Sequence, residues 1–244
     1  MKAEPAAQSR LLELAEVDAD LARITHRRRT LPELVEIGEV EAALRAGRDA
    51  VVAAETAIGD LDRDASKLET EIDAVRARED RDRGLLKTGV GARQVTDLEH
   101  ELETLQRRQG VLEDELLEIM ERREAAGINA GKARSALAAA EEQLADATHR
   151  RDEALTDLET AEQRRTVERS ALVAALPADL LALYERIRAQ KGTGAALLRA
   201  RRCGSCRLEL DRSAINALRD GAPDEVLRCE ECGVILVRTS ESGL

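Results

Sequence analysis

From Val95 to Leu172 apolar residues recur at alternating steps of three and four in one unbroken phase. Val95, Leu98, Leu102, Leu105, Leu112, Leu116 and Ile119 come first, followed by an alanine-rich run through Ala126, Ala130, Ala133, Leu137, Ala140, Leu144, Ala147, Ala154, Leu158 and Ala161. This spacing keeps one stripe of a helix against a partner, the pattern of a supercoiled pair. Gln109, Arg123, Arg151, Arg165 and Glu168 interrupt the stripe without shifting it. At ~1.5 Å per residue the segment predicts a helix about 120 Å long.

The preceding third of the chain repeats the pattern in two phases, Leu14 to Val35 and then Leu44 to Val75. The slip falls at "TLPELVEIG", where Thr30 and Glu33 have capping-box spacing and Pro32 suits a first helical turn. A break near residue 30 is therefore expected, with a second helix running to about Arg83. "RGLLKTGVGA" separates the heptad stretches, and Gly84, Gly89 and Gly91 supply turn conformations there. An antiparallel hairpin follows, with its tip near 84–91. A reversal centred near Lys87 sets the small residues Ala42–Gly47 against Ala125–Ala133, small facing small, which favours an intramolecular hairpin over a parallel dimer.

Pro177 ends the coil, since proline cannot continue a helix. "PADLLALYERIRAQK" then reads as a short amphipathic helix with Leu180, Leu181, Tyr184 and Ile187 on one face, and Gly192 and Gly194 as its stop and a flexible joint. Beyond it lie all four cysteines, as two CxxC pairs: Cys203 with Cys206 and Cys229 with Cys232. Each pair turns two thiolates toward one centre, and two pairs complete a tetrahedral S4 site for one structural Zn²⁺. "GAALLRARR" and "EVLRCEECGVILVR" read as short strands around it, with a helical turn at Ser213–Leu218. A thiol redox pair is the competing reading, but redox folds use one CxxC at a strand–helix junction. The fold class is thus mainly α: a long antiparallel coiled-coil hairpin over residues 1–175, then a lead helix and a small β-rich zinc ribbon over 176–244. So small a module needs metal to fold.

Composition supports this picture and narrows the function. There is no Trp or Phe, and Tyr184 is the single aromatic; charged residues make up 36%. Such a chain makes exposed helices rather than an ordinary globule. No stretch approaches the ~18 apolar residues of a membrane helix, so a soluble cytoplasmic protein is expected. There is no P-loop or GxGxxG, and a four-ligand zinc site has no open position for a reacting water. The reading is a non-enzyme, and His26, His100 and His149 on the coil are assigned no role.

The formal charge of −11 disfavours broad affinity for nucleic acid. Two basic features stand against it. At the tip, Arg81, Arg83, Lys87 and Arg93, with Arg76 and Arg78, outnumber Glu79, Asp80 and Asp82. Around the first CxxC, "RARRCGSCR" carries Arg199, Arg201, Arg202 and Arg207. Across Gly192–Leu244, however, eight basic residues balance eight acidic ones.

Taken together, the hairpin, "TLPEL", "RQVTDLEHELETLQRRQGVLEDELLEIMERRE", "LPADLLALYERIR" and "CGSC…CEECGVILV" resemble the bacterial C4-type zinc-ribbon coiled-coil family. The resemblance covers nearly the whole chain and implies a two-helix coiled coil with a terminal ribbon binding zinc through Cys203, Cys206, Cys229 and Cys232. It also implies an adaptor or chaperone-like role, since members in flagellated and intracellular bacteria serve an alternative sigma factor and secretion components, and one branch is linked to messenger RNA. The alanine- and arginine-rich composition looks like the high-GC Gram-positive branch. Ser205 and Arg207 stand where a Gly and a His are frequent in the family.

Three functions are therefore weighed. The first is an adaptor, monomer or weak homodimer, whose tip and ribbon hold protein partners, transcription-related ones among them. The second is nucleic-acid binding by the arginine cluster. The third, by fold-level analogy alone, is a modulator of RNA polymerase acting through Asp80 and Asp82 at the tip.

Overall fold

The heptads become helices, and the breaks fall where proline and glycine stand. The computed structural model describes residues 1–244. It contains α1 (Pro5–Arg29), α2 (Pro32–Lys87), α3 (Ala92–Ala174), α4 (Ala178–Lys191) and α5 (Arg212–Asp220). Four short strands accompany them: β1 (Ala195–Arg199), β2 (Arg202–Cys203), β3 (Leu227–Arg228) and β4 (Ile235–Val237). Where the heptads suggest a cut at 175/176, the packing groups Met1–Leu34 with Arg150–Leu244 as one compact unit and Val35–His149 as another.

In the unit of residues 35–149, α2 and the first part of α3 form the hairpin. Leu44 and Ile72 on α2, and Leu112, Ala130 and Ala147 on α3, are buried at the expected seam positions. The helix-breaking role expected of Gly84 does not materialise. Helix α2 continues through it to Lys87, because Leu86 extends the seam, and the chain reverses at Thr88–Gly91 with Gly89 at φ +79°. The register moves accordingly: a Cβ on Gly47 would lie 3.4 Å from Leu137, which is outside the expected Ala125–Ala133 stretch. Cross-helix ion pairs fix this register, with Arg108 on Glu71 at 3.0 Å, Arg134 on Glu55 at 2.6 Å and Arg76 on Glu113 at 2.8 Å. All are exposed, so they contribute more to alignment than to stability. The Thr30 capping box is also absent. The Thr30 hydroxyl donates back to the His26 carbonyl, finishing α1, and a Glu33 carboxylate oxygen is buried without a partner.

The other unit brings α1, the end of α3 and α4 onto a four-stranded sheet of order β2-β1-β4-β3. β1 runs parallel to β4, and the outer strands pair antiparallel to their neighbours. Its core joins Leu11 and Leu14 of α1, Leu180, Tyr184 and Ile187 of α4, and Leu198 with Val234–Val237 of the ribbon. The ribbon thus does not stand alone on its metal, because two helices cover its sheet.

A buried carboxylate locks these helices together. Asp18 is 6% exposed and accepts hydrogen bonds from the Tyr184 hydroxyl at 2.7 Å and Arg169 Nε at 2.7 Å, with Arg188 3.4 Å away. Burial first, and the Asp18 bond second, push the Tyr184 hydroxyl far above its ordinary pKa, so it remains a donor. Gly192 ends α4 in the left-handed region, as expected. Gly194 is not a flexible joint, however. A Cβ there would lie 2.5 Å from the Tyr184 ring, and its carbonyl accepts from Ile235 N–H at 3.1 Å. Only glycine lets the tyrosine close down on the strand.

Two further ties hold the ribbon. Ala3 N–H donates to the Asp224 carbonyl at 2.7 Å, and Val226 N–H donates to the Met1 carbonyl at 3.1 Å. Arg238 donates to four carbonyls, those of Leu218, Gly221, Ala222 and Glu225, and so closes the C-terminal end of α5 and the loop after it.

Candidate metal centre

Cys203 lies in β2, and Cys229 follows β3, so the two CxxC turns spring from the two edge strands of the sheet. The turns repeat one another bond for bond. Cys203 N–H donates to Leu208 O at 3.0 Å and Cys229 N–H to Val234 O at 2.9 Å, while Arg207 N–H returns to Cys203 O at 2.8 Å and Gly233 N–H to Cys229 O at 2.9 Å. The four sulfurs all lie within 4.8 Å of one another, with Cys203 to Cys232 at 3.7 Å and Cys206 to Cys229 at 3.9 Å. A tetrahedron with Zn–S bonds of ~2.3 Å has sulfurs ~3.8 Å apart. The cysteine side chains therefore fit zinc without rearrangement.

Backbone N–H groups of Ser205 and Cys206 point at the Cys203 sulfur, and those of Glu231 and Cys232 at the Cys229 sulfur. Such donors orient thiolates and offset part of their charge. Burial nevertheless dominates at Cys203, whose thiol is pushed up to about 12, and it also raises Cys229. At Cys232 the push from burial is outweighed by the Val234 N–H and the neighbouring thiols, and its pKa falls. For Cys203 and Cys229, loss of the thiol proton is therefore coupled to the arrival of a cation.

Residues 14–192 match the CT398-like coiled coil hairpin domain, and residues 202–236 match the C4-type zinc ribbon domain. The chain belongs to the CT398-like coiled-coil hairpin family. An uncharacterized protein of Mycobacterium tuberculosis is 46% identical over 239 residues, covering 98% of each chain. A second, from Mycobacterium leprae, is 35% identical over 223 residues, 91% of this chain and 96% of its own. Among solved structures, one from Mycobacterium smegmatis has a TM-score of 0.85 at 46% identity, covering 98% of this chain and 100% of that one. CT398 from Chlamydia trachomatis shares the fold at 18% identity, with a TM-score of 0.67 and coverage of 95% and 97%. No helix of this family member is long and apolar enough to cross a membrane.

The basic residues singled out by sequence divide into those held by carboxylates and those without an ion pair. Arg199 pairs with Glu241 at 3.2 Å and Arg202 with Glu209 at 3.5 Å, both exposed. Arg201 and Arg207 sit in the left-handed region, at φ 64° and 62°. At the tip Arg83 is held by Glu79 at 2.8 Å and Asp80 at 3.6 Å, while Arg81, Lys87 and Arg93 have no ion pair. Arg207 is the structural counterpart of Gly233, at φ +79°, in the second turn. A side chain in that region costs about 1 kcal/mol, so Arg207→Gly is expected to raise the thermal stability of the zinc-loaded protein by about 0.5–1 kcal/mol. Equal or lower stability in a melting experiment would show that the arginine makes up for its backbone elsewhere.

Sequence reasoning missed Asp18 and Arg238 and misread Gly194 as a flexible joint. Tyr184 alone carried a signal: the single aromatic of the chain, on the apolar face of a short helix, needs a polar partner for its hydroxyl.

Proposed function

We propose that the protein is a non-enzymatic adaptor whose ribbon, folded around one structural Zn²⁺, and whose hairpin tip each present a surface to a protein partner. The observation that carries this reading is the state of the cations at the turn. Arg76, Arg78 and Arg83 are engaged by carboxylates, while Arg81, Lys87 and Arg93 stand exposed beside them without one. The sulfur cage is complete with four ligands, which leaves zinc no open position for a substrate. Nucleic-acid binding by Arg199, Arg201, Arg202 and Arg207 has less support, because two of the four are paired and Tyr184, the single aromatic, is fully buried and cannot stack on a base. A polymerase-directed role has less still, since Asp80 pairs with Arg83 and an Asp82 oxygen is buried.

The test is partner capture on C-terminally tagged, zinc-loaded protein, with nuclease treatment. Proteins that survive nuclease and are lost with Arg81→Glu and Lys87→Glu are the expected result. Recovery that disappears with nuclease would transfer the role to the arginine cluster.

A further inference from the structure

We infer that the ribbon carries a carboxylate-binding notch, built from Arg201, Arg212, Asn216 and Arg219, that takes an acidic peptide segment of a protein partner; this rests on the adaptor reading. The notch lies between the turn after β1 and helix α5 and encloses about 370 Å³. Arg212, Asn216 and Arg219 fall at i, i+4 and i+7 and share one face of α5. Ala214 and Leu218 are buried on that helix, Leu210 and Ile215 lie almost fully buried at the base of the notch, and its accessible lining is mainly polar.

Three features point to an anion. Arg212 and Arg219 have no ion pair or hydrogen-bond partner within the chain, and the one carboxylate lining the space, Glu209, is already held by Arg202. Arg201 donates through Nε to the Gly243 carbonyl at 3.1 Å, which leaves its terminal nitrogens for an outside acceptor. Asp211, the carboxylate that caps α5 beside Arg212, is itself taken up by the Ala214 N–H at 2.7 Å and the Ser213 hydroxyl at 2.8 Å and makes no ion pair with Arg212. An incoming carboxylate satisfies the open guanidiniums and suits their planar fork.

Size and surroundings favour a peptide over nucleic acid. The space is at the small end for a ligand site and fits one or two side-chain carboxylates rather than a run of phosphates. No aromatic is available to stack a base, and the mainly polar lining suits side-chain carboxylates.

The experiment is fluorescence anisotropy of a short labelled peptide of alternating glutamate and glycine, titrated at low salt with full-length, zinc-loaded protein. Saturable binding is expected, weakened about tenfold or more by Arg212→Gln with Arg219→Gln, and unchanged by Arg107→Gln on the coil with Arg186→Gln on α4. Asn216→Asp puts a carboxylate into the same space without removing either arginine and is expected to weaken binding as well, so the test survives a folding defect in the double variant. Absence of saturable binding, or full affinity in both α5 variants, overturns the proposal. So does a short single-stranded RNA that binds more tightly and is lost with the same substitutions. Partner capture through the tip without peptide binding removes the notch alone, while peptide binding without any captured protein removes the adaptor reading alone.

Discussion

Stripped of zinc, or carrying Cys229→Ser, the protein is expected to lose its four-stranded sheet and α5 while residues 35–149 remain a helical hairpin. Apparent zinc-binding energies of ~10–16 kcal/mol exceed what the small ribbon can recover from burial. Without a cation the Cys203 thiol, pushed up to about 12 by burial, stays protonated at neutral pH. Metal uptake must therefore expel protons, and zinc affinity is expected to fall as pH falls. Hydrogen exchange by mass spectrometry reads the outcome directly. The amides of Ile235, bonded to Gly194 O, and Gly204, bonded to Leu197 O, should lose protection on chelation, while the helix around Leu112 should not. Persistent protection in the ribbon would mean that α1 and α4 hold the sheet unaided, and that zinc has a role other than folding.

The second large effect is expected far from any thiol. Asp18→Ala removes the acceptor shared by Tyr184, Arg169 and Arg188, leaving a buried hydroxyl and two guanidiniums without it. Breaking a buried pair from one side typically costs ~3–5 kcal/mol. Glu185 still engages both arginines, one of them at 2.9 Å, so the lower end, about 3 kcal/mol, is expected. Tyr184→Phe removes one hydrogen bond to a charged group and should cost about 1.5 kcal/mol. The chain has no Trp and a single Tyr, so the absorbance of Tyr184 follows this unit alone during denaturation of Asp18→Ala. A loss below about 1 kcal/mol would show that the network is cosmetic.

Periodicity revealed the hairpin because a coiled coil is specified locally, each heptad declaring its own seam. Two CxxC pairs revealed the metal site for a similar reason, since the chemistry of four thiols admits few arrangements. The register was harder to read. It depends on where the chain reverses, and Gly84, which looked like a turn residue, is carried through as helix by Leu86. The Asp18 network was invisible for a different reason. In a helix with 36% charged neighbours one more aspartate carries no mark, and its burial arises only when α3 and α4 arrive from distant sequence. Gly194 was read from its freedom when its use is the opposite, as the one residue small enough to sit under Tyr184. Arg238 is one of eight basic residues in Gly192–Leu244, and nothing beside it in sequence announces the four carbonyls that converge on it.

The pairing of Met1–Ala3 with Asp224–Val226 has a consequence for synthesis on the ribosome. Residues 1–3 can find their partners only when the ribosome has reached Val226, roughly 10–45 s later at ~5–20 residues per second. The hairpin, whose contacts are sequential, can close in that interval. The core around Leu11 and Leu14 of α1 is completed only when Val234–Val237 arrives. Slow translation late in the message therefore prolongs the life of an intermediate with a finished hairpin and an incomplete core around the first helix.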